Sequence, residues 1–303
     1  MRVLVIGGGI SDERDVSLRS AKSIFDAIPP THEKYMYDWD GSSDWLSQNA
    51  ENYDVALPIL HGVGGEDGQI QTILENVGLA YLGSGIEVSK ACMDKQKTQA
   101  HLADNGILIP KHKVVTKELY INSELSKTMH VLKPIDGGSS LDTFICRDGL
   151  LSEPEQIKVF QNHKEMILEE FIEGEEVTVP VLDGYDLPLI HIIPPEGKFF
   201  DYENKYNGAT QEICNPDTID QAIQAQARDL AKKVHTAMNC RHFSRVDIII
   251  DKQNRLFVLE INTIPGLTDQ SLFPRAAQYI GLSMPELVEH FITLASQSNV
   301  NQI

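Results

Sequence analysis

Four residues near the C-terminal end of the chain, Arg245, Asp247, Glu260 and Asn262, have types and spacing that suit metal and phosphate chemistry. If this segment forms a hairpin symmetric about Gln253–Asn254, Asp247 lies directly opposite Glu260. Arg245 and Asn262 then face each other two residues further along, and all four side chains share one face. Facing carboxylates destabilise a sheet unless they are neutralised, and these oxygen donors suit Mg²⁺ or Mn²⁺ better than Zn²⁺. The pattern therefore predicts a divalent-cation site on one face of a hairpin.

The flanking sequence favours that hairpin. The runs Arg245–Asp251 and Leu256–Asn262 are rich in Ile, Val and Leu, which predicts two strands with at least one buried face. On these residues alone a second interpretation is favoured, which is a hairpin without metal in which Arg245 forms a salt bridge with Asp247 or Glu260.

The loop Thr263–Thr268 weakens the metal-free interpretation. Pro265 and Gly266 break the second strand and can turn backbone N–H groups toward a ligand. Metal ligands that run into such a loop indicate a site for an anionic substrate.

The composition limits the classes of function. A chain of 303 residues is long enough for two or three domains, and 42% hydrophobic and 23% charged residues are ordinary for a soluble globular protein. A net charge of −18 argues against nucleic-acid binding, although not against nucleotide binding. The four cysteines are widely spaced without a CxxC pair, which predicts reduced thiols rather than disulfides or a zinc site. We expect a cytoplasmic protein, because the N-terminal apolar run is too short for a signal peptide and no apolar stretch approaches membrane length.

The first third of the chain predicts a small doubly wound α/β domain that ends near Met93. A strand at Arg2–Ile6 leads into three glycines and a helix, and a strand at Tyr53–Leu60 leads into the glycine-rich loop His61–Gly68. The glycines of that loop allow positive φ angles and bring the backbone close to a ligand. A helix at Gln69–Asn76 completes the βαβ rhythm.

Lys133 ends a predicted strand, His130–Lys133, and stands directly before a loop of small residues. A lysine followed by flexible backbone donors suits phosphate binding, although the spacing is not that of a Walker A motif and such a loop alone is more often a hairpin turn. The other predicted elements are helices at Val16–Ala27, Asp94–Ile109, Ile219–Met238 and Met284–Ser296, strands at Ala80–Leu82, Met166–Ile172 and Val177–Val181, and a turn at Glu173–Glu176.

Taken in order along the chain, these motifs resemble those of the D-alanine–D-alanine ligases, a family of the ATP-grasp superfamily. The resemblance runs from Gly8 to about Leu287, and its most specific parts are HGVGGEDG and LEINTIPGLTDQSL. It implies a mixed α/β and α+β chain with the ATP-grasp fold, preceded by the small doubly wound N-terminal α/β domain. The implied ranges are 1–93 for the N-terminal domain, 94–175 for the central ATP-grasp subdomain, and 176–303 for the C-terminal subdomain with the metal and second-substrate site.

The resemblance also implies roles for individual residues. Those that match the ATP-binding residues of the family are Lys95, Lys133, Ser140, Glu169, Phe171, Ile172, Glu176, Phe199 and Lys205. Those that match the ligands of two Mg²⁺ or Mn²⁺ ions are Asp247, Glu260 and Asn262. The matching substrate-binding residues are His61, Ser271 and Leu272. The matching catalytic residues are Glu13, Ser139, Tyr206, Arg245 and Gly266.

The implied activity is the ATP-dependent ligation of two D-alanines through an acyl phosphate, with release of ADP and phosphate. In the family pattern Glu13 holds the ammonium group of the first D-alanine, while Arg245 and the Gly266 N–H face the oxyanion. Glu13 also joins Ser139 and Tyr206 in closing a mobile loop. The dipeptide serves peptidoglycan synthesis, and thereby cell-wall biogenesis and cell shape. The resemblance further implies a homodimer that acts on small molecules and binds neither nucleic acid nor membrane.

Two alternatives stay open. A D-alanine–D-serine or D-alanine–D-lactate ligase has the same scaffold, although Tyr206 favours a peptide bond. A catalytically silent ATP-binding protein is the other, and the presence of Arg245 and of all matched metal ligands argues against it. The chain departs from the family pattern at Asp136–Gly138, at Leu141–Asp142 and at Glu170, where a lysine is common. These departures concern loop closure and ATP affinity.

Overall fold

The structure, a computed structural model, describes residues 1–137, 142–195 and 209–298, and three β-sheets organise them. The first sheet consists of β1 (Arg2–Gly8), β2 (Glu33–Trp39) and β3 (Val55–Pro58). The second consists of β4 (His112–Val115), β5 (His130–Pro134), β6 (Phe144–Cys146) and β7 (Met166–Glu170). The third consists of β8 (Gly174–Leu182), β9 (Ile190–Ile193), β10 (Gln211–Cys214), β11 (Phe243–Asp251) and β12 (Leu256–Asn262).

Helices cover these sheets and connect them. In the N-terminal half they are α1 (Arg14–Ala27), α2 (Asp44–Asn49), α3 (Gln69–Asn76), α4 (Ile86–Met93), α5 (Lys95–Asp104) and α6 (Lys117–Ile121). In the C-terminal half they are α7 (Glu153–Asn162), α8 (Gln221–Ala237), α9 (Leu272–Tyr279) and α10 (Met284–Ser296). None of the helices in the described ranges is long and apolar enough to cross a membrane.

The first sheet is parallel with the order β2-β1-β3, which confirms the predicted doubly wound start of the chain. The apolar residues of β1 alternate between its two faces. Leu4 and Ile6 pack with Trp39 and the helices α2 and α3, whereas Val3 and Val5 pack on the opposite face. The predicted strand Ala80–Leu82 is reduced to a single bridge between Ala56 and Tyr81.

The face of β1 that carries Val3 and Val5 shares its core with the C-terminal end of the chain. Ile24 of α1 and Phe291 and Ile292 of α10 belong to the same buried cluster and are almost fully inaccessible to solvent. The last helix therefore packs on the first sheet, which is formed by the opposite end of the chain. Because β8 begins at Gly174, the expected boundary between residues 175 and 176 falls inside a strand.

The third sheet has the order β10-β9-β8-β11-β12, and its β11–β12 hairpin carries the predicted metal face. The predicted pairs are confirmed, since Arg245 faces Asn262 and Asp247 faces Glu260. The hairpin is nevertheless not symmetric, because the register shifts after Asp247 and leaves Leu259 without a partner in the ladder. This bulge keeps the carboxylates opposite each other although the turn itself is offset by one residue.

Two predicted boundaries were wrong. The turn predicted at Glu173–Glu176 lies mostly in β8, because β11 extends far enough to pair with Gly174. The helix predicted over Asp94–Ile109 ends at Asp104, where Asn105 and Gly106 follow and Gly106 adopts a φ of 66° that suits glycine. Asp94 precedes this helix and caps it by accepting a hydrogen bond from the Lys97 N–H at 3.0 Å.

Candidate active site

A cavity of about 930 Å³ lies between the second and third sheets, and this volume is typical of small-molecule sites. Six of the residues expected at the ATP site line it, namely Lys95, Lys133, Glu169, Phe171, Ile172 and Glu176. Asp247 and Glu260 line it as well, and Asn262 lies on a small adjoining cavity that Lys95 and Glu260 also border. The fold thus brings the expected nucleotide and metal residues to one place.

The two lysines of the cavity are held by short contacts. Lys133 Nζ lies 2.8 Å from Glu169 Oε1, and the side chain of Gln99 donates a second hydrogen bond to that carboxylate. Lys95 Nζ donates to the carbonyl oxygen of Gly137 at 2.5 Å. Burial lowers the pKa of Lys95, while the negative charge of the nearby Glu260 opposes that shift. Ammonium groups withdrawn from water in this way favour an anionic ligand.

Asp247 is the centre of the predicted metal face. Arg245 donates to both of its oxygens, from Nε at 3.0 Å and from Nη2 at 2.9 Å. Asn262 Nδ2 donates to Asp247 Oδ2 at 3.1 Å, and Thr178 Oγ1 also donates to this carboxylate. The salt bridge of the metal-free alternative is therefore present between Arg245 and Asp247.

Glu260 stays outside that salt bridge and faces both cavities. Among the residues that the structure describes, no three His, Cys, Asp or Glu side chains converge as a site built from protein alone requires. Two carboxylates and one amide oxygen on one face instead fit Mg²⁺ or Mn²⁺, because such ions commonly take their remaining ligands from substrate phosphates and water. The side-chain oxygens of this face therefore fit the expected metal, with substrate phosphates and water as its remaining ligands.

His61 connects the glycine-rich loop to the loop after β12. Its Nδ1 donates to the carbonyl oxygen of Ile264 at 3.0 Å, and its Nε2 lies 3.1 Å from Ser20 Oγ. Burial lowers the pKa of His61 to about 4, so the ring is neutral at physiological pH. A neutral ring that donates from Nδ1 accepts at Nε2, and the Ser20 hydroxyl is the donor there. Both ring nitrogens are thus engaged in positioning.

Glu13 lies directly before α1 and against Gly62 of the same glycine-rich loop. A Cβ atom on Gly62 would come within 2.8 Å of Glu13 Oε2, and Gly62 has a φ of 74°. Glycine is therefore required there both for space and for backbone conformation. This close approach places the Glu13 carboxylate beside the loop that His61 fixes.

Gly266, Ser271 and Leu272 lie together where the loop after β12 meets α9. A Cβ atom on Gly266 would come within 2.9 Å of Ser271 Oγ, so the backbone of Gly266 lies close to that hydroxyl. Ser271 Oγ accepts from the Thr268 N–H at 3.1 Å and lies 2.7 Å from Thr268 Oγ1. Leu272 begins α9, whose N-terminal end favours a negatively charged group.

The comparisons with known proteins agree with this geometry. The sequence model of the family described as "D-ala D-ala ligase C-terminus" matches residues 102–293. A D-alanine–D-alanine ligase from Syntrophobacter fumaroxidans is 39% identical to the chain, with 97% of each chain covered. The chain belongs to the D-alanine–D-alanine ligase family.

Solved structures of D-alanine–D-alanine ligase family members have the same fold. The D-alanine–D-alanine ligase from Bacillus anthracis complexed with ATP superposes with a TM-score of 0.82 at 30% identity, with 97% of each chain covered. The VanG D-Ala:D-Ser ligase from Enterococcus faecalis superposes with a TM-score of 0.78 at 28% identity, covering 97% of this chain and 99% of that one. The ATP-grasp fold predicted from the sequence is confirmed.

Some of the expected site residues of this family member lie outside the described residues. They are Ser139, Ser140, Phe199, Lys205 and Tyr206, and the departures at Gly138 and Leu141 lie outside as well. Glu170 is described, and its Oε1 accepts from the Lys111 N–H at 2.9 Å beside the cavity.

Sequence reasoning missed three residues that hold the site together. Gln99 and Thr178 each donate to a carboxylate of the expected site, and Glu66 joins two of its loops. Gln99 stands one helical turn after Lys95, a spacing that places both side chains on one face of α5. Glu66 is a charged residue inside the glycine-rich motif, and this position was the feature of the sequence that could have pointed to it.

Proposed function

We propose that this protein joins two D-alanines into D-alanyl-D-alanine at the cost of one ATP. The observation that carries the proposal is the shared cavity. It brings Lys95 and Lys133 to the same space as Asp247 and Glu260, and the whole chain is similar to ligases of that name.

In the first step the carboxylate of one D-alanine attacks the γ-phosphorus of ATP. An acyl phosphate forms and ADP leaves. Glu13 holds the ammonium group of this D-alanine, and Lys95 and Lys133 stabilise the charge on the transferring phosphoryl group. Lys133 is preorganised for that role by Glu169, which fixes its ammonium group.

In the second step the amine of the other D-alanine attacks the acyl carbon, and phosphate leaves from the tetrahedral intermediate. Arg245 and the Gly266 N–H stabilise its oxyanion. Ser271 and Leu272 receive the second D-alanine, with Ser271 at its carboxylate. Holding both amino acids in line supplies much of the acceleration. Ser139, Tyr206 and Glu13 close the site so that water does not hydrolyse the acyl phosphate.

Asp247, Glu260 and Asn262 are the proposed ligands of two Mg²⁺ or Mn²⁺ ions. A metal held by these residues would supply positive charge that neutralises the charge developing on the phosphates. Arg245 orients the Asp247 carboxylate through the two hydrogen bonds described above.

Phosphate release from ATP tests the proposal. The purified protein is incubated with ATP, Mg²⁺ and D-alanine, and separately with L-alanine, with D-serine, and with D-alanine plus D-lactate, and the products are identified by mass spectrometry. D-alanine-dependent phosphate release with a D-alanyl-D-alanine product is the expected result. ATP binding without product from any of these amino acids would instead favour a silent ATP-binding protein.

The similarity to the VanG D-Ala:D-Ser ligase makes a D-alanine–D-serine ligase the second candidate. Competition between D-alanine and D-serine in the same assay separates the two, because the major product identifies the preferred second substrate.

We also propose the domain ranges 1–93, 94–175 and 176–303, a homodimer, and action in the cytoplasm on peptidoglycan precursors. Analytical ultracentrifugation tests the homodimer.

A further inference from the structure

Glu66 carries a carboxyl group that the proposed reaction does not use. It lies in the glycine-rich loop, yet its two oxygens reach different parts of the chain. Oε2 accepts from the Gly62 N–H at 2.8 Å, and Oε1 accepts from the Ile264 N–H at 3.4 Å. One side chain therefore joins the glycine-rich loop to the loop after β12.

Each of these backbone contacts stands next to a group proposed to hold the first substrate. Gly62 packs against the Glu13 carboxylate, which is the proposed partner of the ammonium group. Ile264 lies two residues before Gly266, whose N–H is proposed to face the oxyanion. Glu66 thus connects the loop beside the proposed ammonium partner with the loop that carries the proposed oxyanion donor.

His61 holds the same residue through the next peptide group. Its Nδ1 donates to the carbonyl oxygen of Ile264 at 3.0 Å, while Glu66 accepts from the N–H of Ile264. With both its N–H and its carbonyl oxygen held, Ile264 cannot rotate without breaking a hydrogen bond to the glycine-rich loop. Pro265 follows directly and limits the backbone further, so these contacts restrict the position of Gly266.

The charges around Glu66 agree with a structural role for its carboxyl group. The contact with the ammonium group of the substrate is proposed for Glu13. Burial raises the pKa of Glu66 to about 8, the nearby Glu13 adds to the shift, and Arg245 opposes it. Near neutral pH the Glu66 carboxyl is therefore largely protonated. Glu66 borders the small cavity together with Lys95, Glu260 and Asn262, and it does not line the large one.

We propose that Glu66 is a positioning residue for the ligation, which fixes Gly62 and Ile264 and thereby sets the distance between Glu13 and the Gly266 N–H. This inference rests on the proposed function. It assigns Glu66 an effect on the chemical step and on the first amino acid, and none on the nucleotide.

The test uses the full chain with the variants E66A and E66Q and the matched control D67N. Asp67 is the next residue, and its carboxylate also accepts from a loop N–H, that of Gly64 at 2.9 Å, but it does not reach Ile264. We expect E66A to lower kcat about 10- to 100-fold, because a misplaced oxyanion donor loses much of its effect. E66Q keeps one acceptor oxygen and should recover part of that loss, and D67N should stay within about threefold of the wild-type kcat.

Two further measurements separate positioning from a general loss of structure. The KM for ATP and the thermal unfolding midpoint should stay near the wild-type values in E66Q. The inhibition constant of a tetrahedral phosphinate analogue of the dipeptide should weaken more than the KM for D-alanine, because the analogue resembles the transition state.

The outcomes are distinct. Wild-type kcat in E66A would overturn the inference, and so would a loss of kcat in D67N equal to that in E66A. If the wild-type protein itself formed no D-alanyl-D-alanine, the proposed function would fail and this inference with it. An active wild type with unaffected E66A would overturn the inference alone.

Discussion

His242 lies just before β11, at the point where the segment around Gly83 meets Ser298, near the C-terminal end of the chain. Its replacement by Asn should change how the free energy of unfolding depends on pH. Its Nδ1 accepts from the Gly83 N–H at 2.9 Å, and its Nε2 lies 3.0 Å from Ser298 Oγ. Protonation would turn the Nδ1 acceptor into a donor that faces another donor. Burial lowers the pKa of His242 to about 4, and the positive charge of Arg241 adds to the shift.

The sign of the effect follows from proton binding. Between the ordinary His pKa of 6.5 and the folded value of about 4, the unfolded chain binds more protons at this position than the folded chain. The free energy of unfolding therefore falls as the pH decreases through that window. Between pH 7.5 and pH 5 the contribution of His242 to this fall is about 2 kcal/mol, from 1.36 kcal/mol per pKa unit.

Asn is the matched replacement because it lacks a titrating group and still offers an oxygen to the Gly83 N–H. It also tolerates the left-handed backbone of this position, where φ is 69°. Denaturant unfolding of both proteins at pH 7.5, 6.5 and 5 gives the two pH dependences. The other buried groups titrate in both proteins, so the difference isolates His242. If H242N lost as much stability as the wild type over this range, the assigned folded pKa would be wrong.

Three more perturbations test the site and the core. E260Q should reduce phosphate release to background at ordinary Mg²⁺. The control E173Q removes an exposed carboxylate from the rim of the same cavity and should stay near wild type. Near-full activity of E260Q would contradict the metal assignment. G62A should lower kcat/KM for D-alanine about 10- to 100-fold by displacing Glu13, measured by steady-state kinetics, and an unchanged value would show that the loop adapts. F291A should lower the free energy of unfolding by about 3–5 kcal/mol, because the fully buried ring of Phe291 is removed from its contacts. Denaturant unfolding measures this loss, and a value below about 1 kcal/mol would contradict the place of Phe291 in the shared core.

The pairs at the predicted metal face were predictable because strand alternation and a short hairpin leave few registers. Asp247 does face Glu260, but the bulge at Leu259 achieves this rather than a symmetric turn. A bulge depends on how the strand packs against its neighbours, and the local sequence does not encode that directly. The salt bridge between Arg245 and Asp247 was available as an alternative, and residue types alone do not choose between it and the metal.

The features that were not predicted from the sequence depend on contacts between segments that lie far apart in the chain. Glu66 gains its position only when the glycine-rich loop meets Ile264, which lies almost two hundred residues later in the chain. The helix at Met284–Ser296 was predicted with its observed bounds, because its apolar period is local. The surface on which that helix packs is not a local property, and its contact with the first sheet was not predicted.

The packing of α10 on the first sheet separates the synthesis of this core from its completion. When the ribosome has made β1, α1 and β3, the helix that completes their core does not yet exist. Val3, Val5 and Ile24 belong to one buried cluster with Phe291 and Ile292, which are added more than two hundred residues later. We therefore expect the newly made first sheet to expose part of an apolar face during elongation, which is the kind of surface that chaperones bind.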